Sequence, residues 1–292
     1  MKKWMFLAGV VLLAAALIVG CGQGGVADDD EPQGEEPEGS YPQRIVSLLP
    51  SNTEILFALG LDERVVGVTD WCNYPAEAEK VEKIGDAFNL NLEKIVSLNP
   101  DLVVTGIGAV MDEAAAFLEE KGIETVAVNP VSVAETLEEI LYLGEITGKE
   151  SKAEAITAEM QAVLDAIEEK TAALDESDKP RVFVLIDPEY LYTVGAGEFL
   201  HELVELAGGI NIAADLGEGY FVISEEAVVE QDPDLILSTF YVLDAIQARD
   251  AWSELRAVKE ENVFVVTGDW VSRQSPRLTL GIQELYDVFY NQ

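Results

Sequence analysis

The chain has 292 residues and a formal net charge of -37, with 18 Lys and Arg against 55 Asp and Glu. A charge of that sign and size repels phosphate backbones and anionic membrane surfaces, which excludes nucleic-acid binding. With 2 cysteines and 1 histidine, the chain has neither a disulfide framework nor the residues for a His-based metal cluster or a Ser/His/Asp triad.

Taken in chain order, residues 1–20 read as an export leader. Lys2 and Lys3 precede the apolar run WMFLAGVVLLAAALIV, and IVGC places small residues before Cys21. The competing reading, a transmembrane anchor, lacks the charges that would stop transfer. Cys21 is therefore the expected lipidation site, which puts the chain in the cell envelope, extracytoplasmic and lipid-anchored to the membrane. Residues 21–41 are rich in Gly, Pro and acid and have too little apolar surface to offset their ordering entropy, so a flexible acidic tether is predicted.

From residue 44 onward, short β-branched runs alternate with helical patterns, the mark of βαβ units on a parallel sheet. RIVSLL, RVVGVT, DLVVTG and ETVAVN form a first set, and RVFVLI, DLILST and NVFVVT form a second after residue 180. A single core rarely organises so many residues. The predicted fold is α/β, with an N-terminal lobe over 42–150, a connecting helix over 151–177, a C-terminal lobe over 178–292 and a ligand cleft between the lobes. Ser151 and Glu154 suggest a capping box at the start of the connecting helix. Ile156, Met160, Val163, Ile167 and Leu174 supply its apolar stripe.

NLEKIVSLNPDLVV (91–104) aligns without gaps to SEEAVVEQDPDLIL (224–237), an internal repeat that equates Pro100 with Pro233 and Asp101 with Asp234. Each copy is predicted to open with a polar N-cap (Asn91, Ser224) and to turn through Pro-Asp into a buried strand. Glu93 and Glu226 occupy matching places in the first turns, with Ile95, Val96, Val228 and Val229 turned inward. Each acid alone is explained by the helix dipole, worth about 0.3 to 1 kcal/mol. As a pair on pseudo-equivalent lobes they also suit a partner that presents one basic socket twice.

No nucleotide loop, zincin motif or CxxC is present, and GAGEF (195–199) is only a weak glycine turn. His201, in a helical context, reads as a helix-surface residue, and Cys72, with no basic neighbour, as a buried small side chain. Aromatic residues, by contrast, gather after the strands. They are Trp71 and Tyr74, Tyr190 and Tyr192, Tyr220 and Phe221, Phe240 and Tyr241, and Trp270. The carboxyl ends of α/β strands are where ligands bind, so these residues either line a cleft for a large, flat, partly apolar ligand or anchor their own loops. GDWVSRQ (268–274) is predicted to be the rim loop after the last main strand, with Ser275 and Pro276 as N-cap and first helical residue. On that rim Asp269 and Arg273 either face a ligand or form a mutual salt bridge.

RIVSLLPSNTEILFALGL, YPAEAEKVEKIGDAFNLNLEKIVSLNPDLV and TGDWVSRQSPR resemble the class III, helix-linked substrate-binding lipoproteins of ABC importers for cobalamin, haem and ferric siderophores. The similarity spans about 42–292 and is greatest to the cobalamin-binding members. It implies a non-catalytic receptor with no intrinsic cofactor and no metal. Its expected ligand is a corrinoid, whose contacts the resemblance places on Trp71, Tyr192, Tyr220, Asp269 and Arg273, to which the aromatic pattern adds Tyr74 and Trp270, and Phe88 is added as a substitute aromatic. It also implies a monomer that docks through Glu93 and Glu226 on an ABC permease dimer with its ATPase subunits. Ala87 stands where the cobalamin-binding members carry a tryptophan, with Phe88 adjacent, and their disulfide cysteines are absent. A haem or ferric-siderophore receptor is the alternative ligand class, and a lipid-anchored envelope hydrolase is the alternative outside binding proteins.

Overall fold

A computed structural model describes residues 41 to 291. The leader, the lipidation site Cys21 and the tether up to residue 40 lie outside the described residues.

The first half runs β1 (Ile45–Ser47), α1 (Pro50–Ala58), β2 (Val65–Val68), β3 (Gly85–Asp86), β4 (Asn89–Leu90), α2 (Leu92–Ser97), β5 (Leu102–Thr105), α3 (Ala109–Glu120), β6 (Glu124–Ala127) and α4 (Val133–Thr147). β2, β1, β5 and β6 form a parallel sheet in that order, and β3 pairs with β4 in a short hairpin. β1 and β5 are buried at every position. This follows from their continuous β-branched character, because helices cover both faces of a parallel sheet.

α5 (Glu150–Thr171) then leads to β7 (Arg181–Val184), β8 (Tyr192–Val194), α6 (Phe199–Leu206), β9 (Ile210–Asn211), β10 (Tyr220–Val222), α7 (Glu225–Gln231), β11 (Leu235–Ser238), α8 (Leu243–Gln247), α9 (Arg256–Lys259), β12 (Val263–Val265), α10 (Gly268–Ser272) and α11 (Leu278–Tyr290). The second parallel sheet has the order β12, β11, β7, β9, and the short strands β8 and β10 pair antiparallel beside it.

The capping box expected at Ser151 does not form. Gly148 closes α4 in the left-handed conformation at φ 70°, and α5 starts at Glu150 with Lys149 as its N-cap residue. A Cβ on Gly144 would come within 2.5 Å of the Ala153 Cβ, so the small residue lets α4 and α5 lie close together. Ile156, Met160 and Ile167 are buried as the stripe predicts, whereas Val163 is only half-buried and Leu174 lies past the helix end. At 22 residues, α5 is about 33 Å long.

One buried cluster runs through both halves, from Ile45 and Val104 through Ile140, Met160 and Ile167 to Val184, Leu203, Leu237 and Ile282. Each sheet also packs its other face into a cluster of its own, around Val46, Ile84 and Val103 in the first half and around Phe183 and Trp252 in the second.

The internal repeat is visible in backbone anchoring. The Asp101 carboxylate accepts from Gln43 N and Arg44 N, both at 2.9 Å, and the Asp234 carboxylate accepts from Arg181 N at 2.8 Å. The strand-leading arginines answer in kind. Arg44 donates to Leu98 O at 2.6 Å and Arg181 to Gln231 O at 3.0 Å, positions that the repeat aligns.

Candidate functional site

On the first half, Trp71 follows β2 and is 64% exposed. Its neighbour Cys72 is buried, with Thr53 Oγ1 and Thr69 Oγ1 each 3.1 Å from its Sγ, and Lys83 donates to its carbonyl at 2.9 Å. The loop is thus pinned beneath Trp71 while the indole faces outward. Phe88, 80% exposed, stands at the tip of the β3–β4 hairpin. Asp86 holds that tip by accepting from Phe88 N at 2.7 Å and Asn89 N at 2.9 Å. These hydrogen bonds, that of Phe88 foremost, keep the Asp86 carboxyl below its ordinary range. Ala87 instead packs against the core of the first half.

On the second half, pairing of β8 with β10 stacks Tyr192 on Tyr220, with ring centroids 6.2 Å apart and planes 19° from parallel. Burial, followed by the Glu198 carboxylate, raises the Tyr220 hydroxyl above its ordinary range. Tyr190, Phe240 and Tyr241 are also exposed. His201 is half-buried on α6, with Nδ1 3.3 Å from Asn211 Nδ2, rather than free on the helix surface.

The junction after β12 differs from its predicted form in two ways. Residues 268–272 make the helical turn α10, not an open loop, and α11 starts at Leu278 rather than at Pro276. Ser275 is buried, and its hydroxyl donates to Glu54 Oε2 at 2.6 Å. Arg273 donates to Glu54 Oε1 at 2.8 Å and to Asn73 Oδ1 at 2.9 Å, and it pairs with Asp269 at 2.9 Å. Arg277 pairs with Glu54, donating to its Oε2 through Nε at 2.8 Å, and lies 3.9 Å above the Tyr74 ring. The Asp269–Arg273 salt bridge is therefore present. The centre of the network is a residue the sequence reading passed over, Glu54 on α1, 3% exposed. The available signal was an acid inside the otherwise apolar EILFALGL segment.

Asn129, Pro130 and Val131, following β6, meet Glu198, Phe199, Tyr220, Ser272 and Gln274 around a pocket of about 260 Å3 that spans the two halves. Tyr220 is the predicted site residue that lines it. Trp270 does not join this pocket. The turn of α10 puts it with Phe264, Leu280, Glu284 and Val288 around a separate cavity of about 540 Å3 formed within the second half.

Glu93 and Glu226 are both exposed. The predicted caps form, Asn91 accepting from Lys94 N at 3.0 Å and Ser224 from Ala227 N at 3.1 Å. Ile95 and Val228 turn inward as expected, whereas Val96 is half-buried and Val229 is 39% exposed.

A family model described as periplasmic binding protein matches residues 45–269. The chain belongs to the periplasmic binding protein family. It is similar to an uncharacterized ABC transporter substrate-binding lipoprotein of Bacillus subtilis, at 37% identity over 99% of this chain and 98% of the relative. It is 29% identical to the vitamin B12-binding protein of Salmonella typhimurium, over 83% of this chain and 88% of that one. The apo haem-binding protein of Roseiflexus superposes with a TM-score of 0.76 at 27% identity, covering 85% of this chain and 98% of that one. The chain is thus a substrate-binding protein of the ABC-importer type and not an enzyme. Its architecture is the two-lobed α/β form, with α5 joining the lobes. Among the described residues no helix is long and apolar enough to cross a membrane.

Proposed function

We propose that this binding protein captures a corrinoid between its lobes and delivers it to an ABC permease. The observation that carries the reading is the combination of exposed aromatic faces on both lobes with arginines already neutralised. Trp71 and Phe88 stand on the first lobe, and Tyr192 stacks with Tyr220 on the second. Arg273 and Arg277 are both committed to Glu54. Flat apolar surface with hydrogen-bonding groups and no spare cation suits a macrocycle edged with amides, and it lacks what a strongly anionic siderophore requires. The printed name of the Salmonella relative, a vitamin B12-binding protein, supports the same ligand class.

Tyr74 contributes its position beneath Arg277, and Asp269 keeps a partly exposed carboxylate for ligand donors. Arg273 acts chiefly by fixing the rim. Phe88 takes the part of an aromatic cover on the first lobe. Cys21 is the proposed lipid attachment point that keeps the receptor at the membrane, as in the Bacillus lipoprotein relative. Glu93 and Glu226 are the proposed contacts with the permease.

Isothermal titration of the full chain in detergent with cyanocobalamin, cobinamide, haem and a ferric hydroxamate tests the ligand. Saturable one-to-one heat from the corrinoids alone is expected. Heat from haem or the hydroxamate, with the corrinoids silent, transfers the protein to the iron-linked ligand class that the Roseiflexus similarity represents.

A further inference from the structure

The pocket between the lobes holds an acid that the aromatic surfaces do not account for. Glu198, immediately before α6, lines it together with Asn129, Ser272 and Gln274. The neighbouring acids of the junction are neutralised, since Glu54 and Asp269 share Arg273 and Arg277. Among the described residues the Glu198 carboxylate has neither an ion-pair nor a hydrogen-bond partner, and its residue is half-buried. Its charge is felt nevertheless, since after burial it is the next cause that raises the Tyr220 hydroxyl above its ordinary range.

A carboxylate with no counter-ion in a pocket lined from both lobes discriminates by charge. An N–H-bearing group placed there gains a charge-assisted hydrogen bond, whereas a second carboxylate meets a like charge. Asn129 and Gln274 present amides, and Ser272, whose hydroxyl already donates to Gly268 O at 2.8 Å, presents an acceptor oxygen, together matching the remaining donor and acceptor capacity of a primary amide. Pro130, Val131 and Phe199 supply apolar wall for the arm that carries it. Because the lining comes from both lobes, a group bound here also ties them together.

We infer that this pocket is a subsite for an uncharged carboxamide arm of the ligand, with Glu198 as the specificity residue that rejects a carboxylate in its place. The inference rests on the corrinoid reading and sharpens it. A corrin edge is built from acetamide and propionamide arms, and haem presents two propionates at the corresponding distance from its ring.

The probes are cyanocobalamin and its monocarboxylic acid isomers, in each of which one propionamide is hydrolysed to a carboxylate. The full chain is titrated in detergent as wild type, Glu198→Gln and Glu198→Lys. Wild type is expected to prefer cyanocobalamin over the most disfavoured isomer by about tenfold or more, the scale of one charge-assisted hydrogen bond. Glu198→Gln should bring that ratio within about twofold, and Glu198→Lys should invert it. A wild-type ratio near one overturns the inference without recourse to any variant. A ratio that persists in both variants assigns the discrimination to other residues, again overturning the role of Glu198 while leaving corrinoid capture in place. Corrinoid silence accompanied by haem binding removes both the subsite and the reading on which it rests.

Discussion

Glu54 shows how much of this site depends on a single side chain. Its two oxygens accept from Arg273 Nη1, Ser275 Oγ, and Arg277 Nε and Nη2, and the carboxylate is almost free of solvent. Burying such a charge is costly, and the cost is offset only while all its donors are present. Glu54→Ala would leave two guanidinium groups, whose side chains are 12% and 13% exposed, with Asp269 as the one carboxylate between them among the described residues. The expected loss is about 3 to 5 kcal/mol of unfolding free energy, against a smaller loss for Glu54→Gln, which keeps its acceptor oxygen. Urea denaturation checks this, and a midpoint for Glu54→Ala indistinguishable from wild type would show that the network contributes nothing net. The Asp269–Arg273 pair was legible from its four-residue spacing, but the contact from Arg273 to Glu54 was not. Those two residues stand 219 positions apart, and no local pattern reports a partner at that distance.

At the level of elements, the seven long β-branched runs all became strands of the two parallel sheets, because strands covered on both faces must be apolar throughout. The small antiparallel pair β8–β10 escaped notice, since three residues per strand are too few to show alternation. Two helix starts fall away from their predicted places. The Ser275 hydroxyl donates to Glu54 and accepts from Arg277 N at 3.3 Å, closing a turn ahead of α11, which begins at Leu278, and Gly148 rather than Ser151 sets the boundary before α5. The repeat, by contrast, carried more than its helices and strands, since Asp101 and Asp234 hook the entry to β1 and β7 in equivalent ways. Asp101→Ala should cost about 2 kcal/mol and Asp234→Ala about 1 kcal/mol, at about 1 kcal/mol for each backbone N–H that loses its acceptor, and Asp→Asn should recover only part of it, because an amide keeps one of the two acceptor oxygens. Equal unfolding midpoints for Ala and wild type at both positions would reduce the repeat to sequence coincidence.

For the molecule as a whole, the two lobes share a continuous core as well as a helix. Val104, Met160, Leu203 and Ile282 belong to one buried cluster, so separating or rotating the lobes widely would expose apolar surface in addition to bending α5. Delivery of a ligand therefore calls for a partner that grips both lobes at once. In the proposed docking, Glu93 and Glu226 are the matching handles for such a partner, and each occupies the first turn of a capped short helix, exposed to solvent. A two-fold permease dimer would meet them with the same basic socket from each subunit. The chain has 55 acids, so reversing two of them alters its long-range field little, and any loss of transport must arise locally. In cells that depend on this receptor for corrinoid, the Glu93→Lys, Glu226→Lys double variant is expected to bind cyanocobalamin within about twofold of wild type and to lower its uptake at least tenfold, the effect of placing like charges against two sockets. Each single variant should fall between, since one lobe stays engaged. Reversing two other exposed acids, Glu77 and Glu159, provides the control for bulk charge. Normal uptake by the first double variant would refute docking through these glutamates, and an equal loss from the control pair would assign the effect to overall charge rather than to the symmetric pair.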